Sequence, residues 1–215
     1  MTRQDSIDHS MRPFQRWLYD LTKRIFDIAF VIVGLIVISP VLLIISILIK
    51  IDSPGPIFYR QKRIGRLGRV FDSYRFRTTI CYLDQENQKS HSYKPGEAVF
   101  KLANDPRVTR VGRFLRMTSM NELPQYFNVL RGDMSLVGPR PALVYEVELY
   151  EDWHKRRFDV IPGMTGLWQV RGSGYSNFDE MVKLDIWYIE HRSFWLDMKL
   201  LLETVPASLR GRGAF

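Results

Sequence analysis

The sequence predicts an α+β protein, with a re-entrant membrane helix hairpin joined to a small mixed cytoplasmic domain that carries amphipathic interfacial helices. Three observations lead there. An apolar run from Ile28 to Ile49 has no charged residue and spans roughly 22 positions, enough for a membrane helix. Ser39-Pro40 falls near its middle, where a proline removes a backbone hydrogen bond and bends a helix. Beyond it, strand-like and helix-like stretches follow one another between glycine and proline turns, as in one mixed domain.

Charge argues for the hairpin. Arg12, Arg16, Lys23 and Arg24 precede the apolar run, and Lys50, Arg60, Lys62, Arg63, Arg66 and Arg69 follow it. Positive charge prefers the cytoplasmic side of a membrane. A straight span would leave one cluster outside. A hairpin broken at Ser39-Pro40 keeps both inside, with the Ser39 hydroxyl offering a compensating bond. A signal peptide has a shorter core and a small-residue cleavage site, which is not seen here.

The chain divides into an interfacial lead helix over 1–22, a re-entrant membrane helix over 23–52 and a cytoplasmic domain over 53–215. Phe14, Trp17, Leu18 and Leu21 recur at helical spacing beside Arg16 and Lys23, as in a helix lying in a membrane interface. Asp52-Ser53-Pro54-Gly55-Pro56 is a turn. Ile57 to Arg60 and Val70 to Thr78 read as the strands of a hairpin around the glycine turn Gly65 to Arg69. Leu83 to Glu97 reads as a loop or short helix. Arg107 to Arg116 and Glu122 to Leu130 read as successive helices, and Ala142 to Asp159 as a charged helix. Pro162 to Val170 reads as a turn and a strand, and Phe178 to Glu190 as a helix. Phe194 to Leu209 is amphipathic, and its Trp195, Leu196 and Lys199 suit either a membrane surface or core packing.

At 215 residues the chain can bury one core. The net charge of +8 and pI of about 9.7 suit an anionic membrane face and phosphate-bearing ligands. No helix-turn-helix, zinc-finger or RNP-like pattern is present, so no nucleic acid is expected as a partner. Cys81 is the single cysteine, which allows no internal disulfide and fits a reducing compartment. His9, His91, His154 and His191 show no metal-ligand spacing.

The densest chemistry lies in residues 104–141, NDPRVTRVGRFLRMTSMNELPQYFNVLRGDMSLVGPRP. Arg107, Arg110, Arg113, Arg116, Arg131 and Arg140 recur through it, and a guanidinium fork matches two phosphate oxygens at once. Any one of them also reads as a solvated helix residue. Arg140 differs, because Pro139 and Pro141 fix the backbone on both sides and leave its side chain aimed. Ser119-Met120-Asn121-Glu122 fits a capping box, with Ser119 as N-cap and Glu122 reaching back. Pro124 favours a helix start nearby. A helix start is also an anion site, so a carboxylate there reads as a cap, as a reactive group or as a metal ligand, and these readings are compatible.

Five ordered blocks resemble the bacterial sugar transferases, the monotopic polyprenyl-phosphate phosphoglycosyl transferases of small catalytic-core type. They are the Ser39-Pro40 segment, Tyr74-Arg75-Phe76-Arg77-Thr78, the central block, Pro162 to Val170, and Asp179 to Lys199; the closing Gly211 to Phe215 resembles the family's tail. The resemblance implies the same re-entrant helix, a place at the bacterial inner membrane and a catalytic domain on its cytoplasmic face. It implies transfer of a sugar 1-phosphate from a UDP-sugar to undecaprenyl or another polyprenyl phosphate, through a covalent phosphosugar-enzyme, as a first membrane step of glycan, exopolysaccharide or O-antigen synthesis. Mg²⁺ is the implied cofactor. UDP-sugar, polyprenyl phosphate and phospholipid are the implied partners, with a homodimer left open.

By position, Asn121 stands at the nucleophile, and Glu122 is its acidic partner and the Mg²⁺ ligand candidate. Arg113, Arg116 and Arg140, framed by Pro139 and Pro141, face the phosphates. Arg75 and Arg77 line the site, and Asp185 is a further candidate. The family pattern departs from this chain twice. It carries Asp where this chain has Asn121, and an amide is a poor, uncharged nucleophile. A chain so altered, by engineering or by nature, is expected to bind substrate and turn over poorly or not at all. A catalytically silent membrane module that binds nucleotide sugar or partner proteins is the alternative. The family also carries Lys where this chain has Arg75, which keeps the charge and changes the donor geometry.

Overall fold

The computed structural model describes residues 13–80, 107–172 and 177–209. Arg12 with the first half of the expected lead helix, Cys81, the Leu83 to Glu97 stretch and the Gly211 to Phe215 tail lie outside those residues. Helix α1 runs from Pro13 to Asp52, 40 residues without interruption. It joins the described part of the lead helix to the apolar segment in one continuous helix. The break expected at Ser39-Pro40 does not interrupt it. Pro40 has no N–H to give the Ile36 carbonyl four residues back. The Ser39 hydroxyl donates to that same carbonyl at 2.8 Å, so the freed acceptor is satisfied and the helix continues.

One stripe of α1 turns inward at helical spacing. Asp27, Val31, Ile45 and Ile49 are buried, and Leu35 and Leu42 pack beside them. Ile32, Val33, Ile36, Val37 and Leu43 are exposed, and α1 is long and apolar enough to cross a membrane. Polar bonds fasten it on both sides of the apolar run. Before the run, Lys23 meets Asp197 at 2.6 Å, Arg24 donates to the Val129 and Leu130 carbonyls, and the Ser135 hydroxyl donates to Asp27 at 2.7 Å. After the run, the Val111 N–H donates to Asp52 at 3.1 Å.

Arg77 makes three further bonds. Its guanidinium donates to the carbonyls of Pro54 at 2.6 Å, Ser53 at 2.8 Å and Ile49 at 3.3 Å. These are carbonyls at the open end of α1, so Arg77 caps a helix rather than lining a site as expected. Arg77→Met should lower stability by about 3 kcal/mol, because buried carbonyls lose a charged donor. A thermal unfolding midpoint within a degree or two of the parent would count against that role.

The remaining elements follow in order. Strands β1 (Phe58–Ile64) and β2 (Val70–Phe76) form the expected antiparallel hairpin around Gly65 to Arg69. Helix α2 (Arg110–Met117) is N-capped by Thr109, whose side chain accepts from the Gly112 N–H at 2.9 Å. A Cβ on Gly112 would meet the Thr78 carbonyl oxygen at 2.1 Å, so only glycine lets α2 lie against that backbone. Then come α3 (Gln125–Arg131), β3 (Ser135–Val137), β4 (Ala142–Leu143), α4 (Val144–Val147), β5 (Gly163–Thr165), α5 (Leu167–Arg171), α6 (Phe178–His191) and α7 (Phe194–Leu209). The hairpin gains β4 in the order β2-β1-β4, and β3 pairs with β5 in parallel. Val129, Met134, Leu136, Tyr188 and Leu200 gather with Val31 of α1 in the main core.

Two expected elements change. Ala142 to Asp159 is not one helix. Ala142 pairs with Ile64 in the sheet, α4 lasts four residues, and a 3-10 stretch covers Asp152–Asp159. Sheet pairing at one end and the aromatic cluster of Tyr150, Phe158 and Phe178 at the other override helix propensity. The expected strand to Val170 stops at Thr165. Gly166 passes so close to Gly138 that a Cβ would lie 2.2 Å from its carbonyl oxygen, and the chain then turns into α5.

Candidate active site

Strand alternation places Arg63 and Arg75 on one face of the hairpin, with Arg63 opposite Phe71 and Arg75 opposite Tyr59. Arg75 meets the Glu122 carboxylate at 2.7 Å, with side chains 18% and 21% exposed. Glu122 closes a short 3-10 turn, Met120–Glu122. The expected capping box does not form. Ser119 sits at φ 57°, its buried hydroxyl makes no hydrogen bond, and the carboxylate goes to Arg75. A charge-assisted pair is stronger than a bond to a neutral N–H. Helix α3 starts only at Gln125, after Pro124, so Glu122 is not on its first turn. Asn121 lies in the same 3-10 turn as Glu122 and is half-buried.

Arg140 follows β3 between the buried prolines Pro139 and Pro141 and is itself half-buried. Burial and the Arg75 charge push its pKa down from the usual guanidinium value, while Glu122 and Glu146 pull the other way. Burial, Arg75 and Arg140 together push Arg63 down to about 9. Three guanidinium groups thus repel one another around the carboxylates of Glu122 and Glu146. Such a cluster is poised to accept an anion, because an incoming phosphate relieves the repulsion.

The other expected residues make contacts of their own. Arg116 lies near the hairpin's end and donates from Nε to the Thr78 hydroxyl at 2.9 Å. Arg113 is exposed on α2, and Arg77 serves α1. Asp185 is buried, within electrostatic reach of Arg140. It is 1% exposed and pairs at 2.7 Å with Arg157, which is equally out of reach of solvent. Sequence reasoning missed Arg63, Arg157 and Glu146. Strand alternation around the Gly65 turn would have found Arg63, since it shares a face with Arg75. Nothing local marks Arg157, which lies in a run that reads as an ordinary charged helix.

Among the described residues no group of three or more His, Cys, Asp or Glu gathers. Mg²⁺ needs none, since one or two carboxylates suffice when substrate phosphates and water complete its shell. Glu122 fits that smaller role.

The domain joins an arginine cluster at half-buried carboxylates to a long, mostly exposed helix of membrane-crossing length and composition. The chain belongs to the bacterial sugar transferase family, whose model matches residues 18–211. It is 44% identical over 213 residues to the galactosyl transferase CpsE of Streptococcus agalactiae, covering 97% of this chain and 46% of the relative. It is 42% identical to an undecaprenyl-phosphate galactose phosphotransferase of Salmonella typhimurium, covering 90% of this chain and 41% of that one. A third relative, the UDP-glucose:undecaprenyl-phosphate glucose-1-phosphate transferase of Caulobacter vibrioides, is 40% identical, with 94% and 75% covered. The chain spans less than half the length of the first two.

Proposed function

We propose that this chain is built to transfer a sugar 1-phosphate, glucose or galactose, from a UDP-sugar to undecaprenyl phosphate at a bacterial cytoplasmic membrane, in the assembly of a surface glycan. The observation that carries this is the group of Arg63, Arg75 and Arg140 around Glu122, one residue from the family's nucleophile position. The names of the relatives supply the substrate classes. In the reaction a carboxylate oxygen at position 121 attacks the sugar-bearing phosphorus and UMP leaves. A polyprenyl phosphate oxygen then attacks the same phosphorus, which forms the lipid-linked diphosphate sugar and frees the carboxylate. Glu122 would hold Mg²⁺, which supplies charge neutralisation at the phosphates. Arg75 orients the Glu122 carboxylate, and Arg140 binds phosphate oxygens.

Asn121 cannot supply the attacking carboxylate, so this chain binds substrate without turning it over. The amide also favours a second reading, a silent nucleotide-sugar-binding module. Mg²⁺-dependent UMP release from a UDP-sugar, measured on the chain and on Asn121→Asp, separates the two.

We place both ends of the apolar run on the same, cytoplasmic face of the membrane. Support comes from the polar ties at Lys23, Arg24 and Asp27 on one side and Asp52 and Arg77 on the other, all to the one globular domain. After Cys81 is replaced, single cysteines near Arg12 and near Arg60 should both resist an impermeant thiol reagent in intact cells. Labelling of either one from outside would sink the same-face arrangement.

A further inference from the structure

We propose that Arg63 and Arg157 are positioning residues, which aim Arg140 by gripping the main-chain carbonyls on and after it; this rests on the reading of Arg140 as a phosphate-holding group. Prolines on either side leave the Pro139-Arg140-Pro141 segment short of N–H donors, so its carbonyls are its main handles. Each of the three is taken by a different element. The Gly163 N–H of β5 donates to the Pro139 carbonyl at 2.9 Å. Arg157, in the 3-10 stretch, donates to the Arg140 carbonyl at 3.0 Å. Arg63, on β1, donates to the Pro141 carbonyl at 2.8 Å. Both arginines are 4% exposed.

The two braces differ in charge. Arg157 is compensated by Asp185 at 2.7 Å and donates to the Tyr150 hydroxyl at 2.8 Å. That gives Asp185 a purpose without ligand contact: it makes a buried guanidinium affordable in the wall behind Arg140. Arg63 has no carboxylate at ion-pair distance among the described residues. Its second donor goes to the neutral Gln61 side chain at 2.8 Å, and its Nε makes no bond. Arg63 therefore braces the loop and adds positive charge behind it, offset only by the more distant carboxylates of Glu146 and Glu122. A guanidinium fork spans the Pro141 carbonyl and Gln61 together; a lysine would reach one of them.

The test is a double-mutant cycle on UDP affinity, by calorimetry on the full chain, which does not consume its ligand. Arg63→Met should weaken UDP binding about 10-fold in the parent and less than 2-fold in an Arg140→Ala background. Arg63→Lys should recover part of the loss. Arg157→Lys keeps a charge beside Asp185 and should show the same dependence on Arg140, which covers the case in which Arg63→Met does not fold. Losses that add independently of Arg140 would overturn the proposal, as would unchanged affinity in Arg63→Met or in Arg157→Lys. If Arg140→Ala alone leaves UDP affinity intact, the phosphate reading of Arg140 falls and the positioning role goes with it. If Arg140→Ala weakens binding and the braces do not matter, only the positioning role falls.

Discussion

Asn121→Asp is expected to release UMP from a UDP-sugar in the presence of Mg²⁺ and to carry a phosphosugar adduct visible by intact-protein mass spectrometry, where the parent chain shows neither. The two side chains are nearly the same shape, and position 121 is half-buried in a turn held by Glu122 and Arg75, so the exchange should leave the fold in place. Only the nucleophile's charge changes. Removing a nucleophile that works as part of a constellation costs on the order of 10⁴ to 10⁶ in rate, and restoring it should return a gain of that order. If the variant neither gains activity nor forms the adduct, the covalent route is wrong for this protein and the silent module leads.

Arg140→Ala should weaken UDP binding by about 1.5–3 kcal/mol, or about 10- to 150-fold, the range for a hydrogen bond to a charged group. The side chain is held by prolines and braced carbonyls, so little entropy is lost when it meets a phosphate. The fold should not suffer. Arg140 lies within electrostatic reach of Arg75 and Arg157, and its own pKa is pushed down by burial and by those charges, which outweigh the pull of Glu122 and Glu146. Deleting it removes repulsion as well as a donor. The expected pair of results is a large loss of affinity with an unfolding midpoint equal to or above the parent's. A fall in midpoint with unchanged affinity would reverse the assignment, making Arg140 structural.

Much of this architecture is legible from local pattern. The β1–β2 hairpin, the bounds of α6 to within a residue and the whole of α7 follow from turn residues and periodicity. What failed was decided at a distance. Arg77 sits two residues from Arg75 in the same motif, on the same side of an extended chain. Just past the end of β2, it meets the open carbonyls of α1, and its role changes. Ala142 to Asp159 has helical composition, but Ala142 is claimed by β1. Ser119 had the letters of a cap, and Glu122 found a better partner in Arg75, 47 positions back in the chain. At the site, the proline-framed Arg140 could be picked out from sequence because its stiffness is local. Strand alternation marks the face that Arg63 shares with Arg75 but not its role, and nothing local marks Arg157, because the carbonyls that both hold are brought to them by tertiary folding.

The ties at both ends of the apolar stretch bear on how the molecule would respond to bilayer thickness. A free transmembrane rod meets a thicker or thinner membrane by tilting. Here Lys23, Arg24 and Asp27 hold one end of the stretch, and Asp52 and Arg77 hold the other, to a single folded body. Tilting α1 would mean rotating the whole domain or breaking buried polar bonds. In the proposed same-face arrangement, hydrophobic mismatch would fall on the lipids around the helix, through local thinning or thickening of the leaflet. The arginine cluster would then keep a fixed height above the acyl chains from one membrane composition to the next.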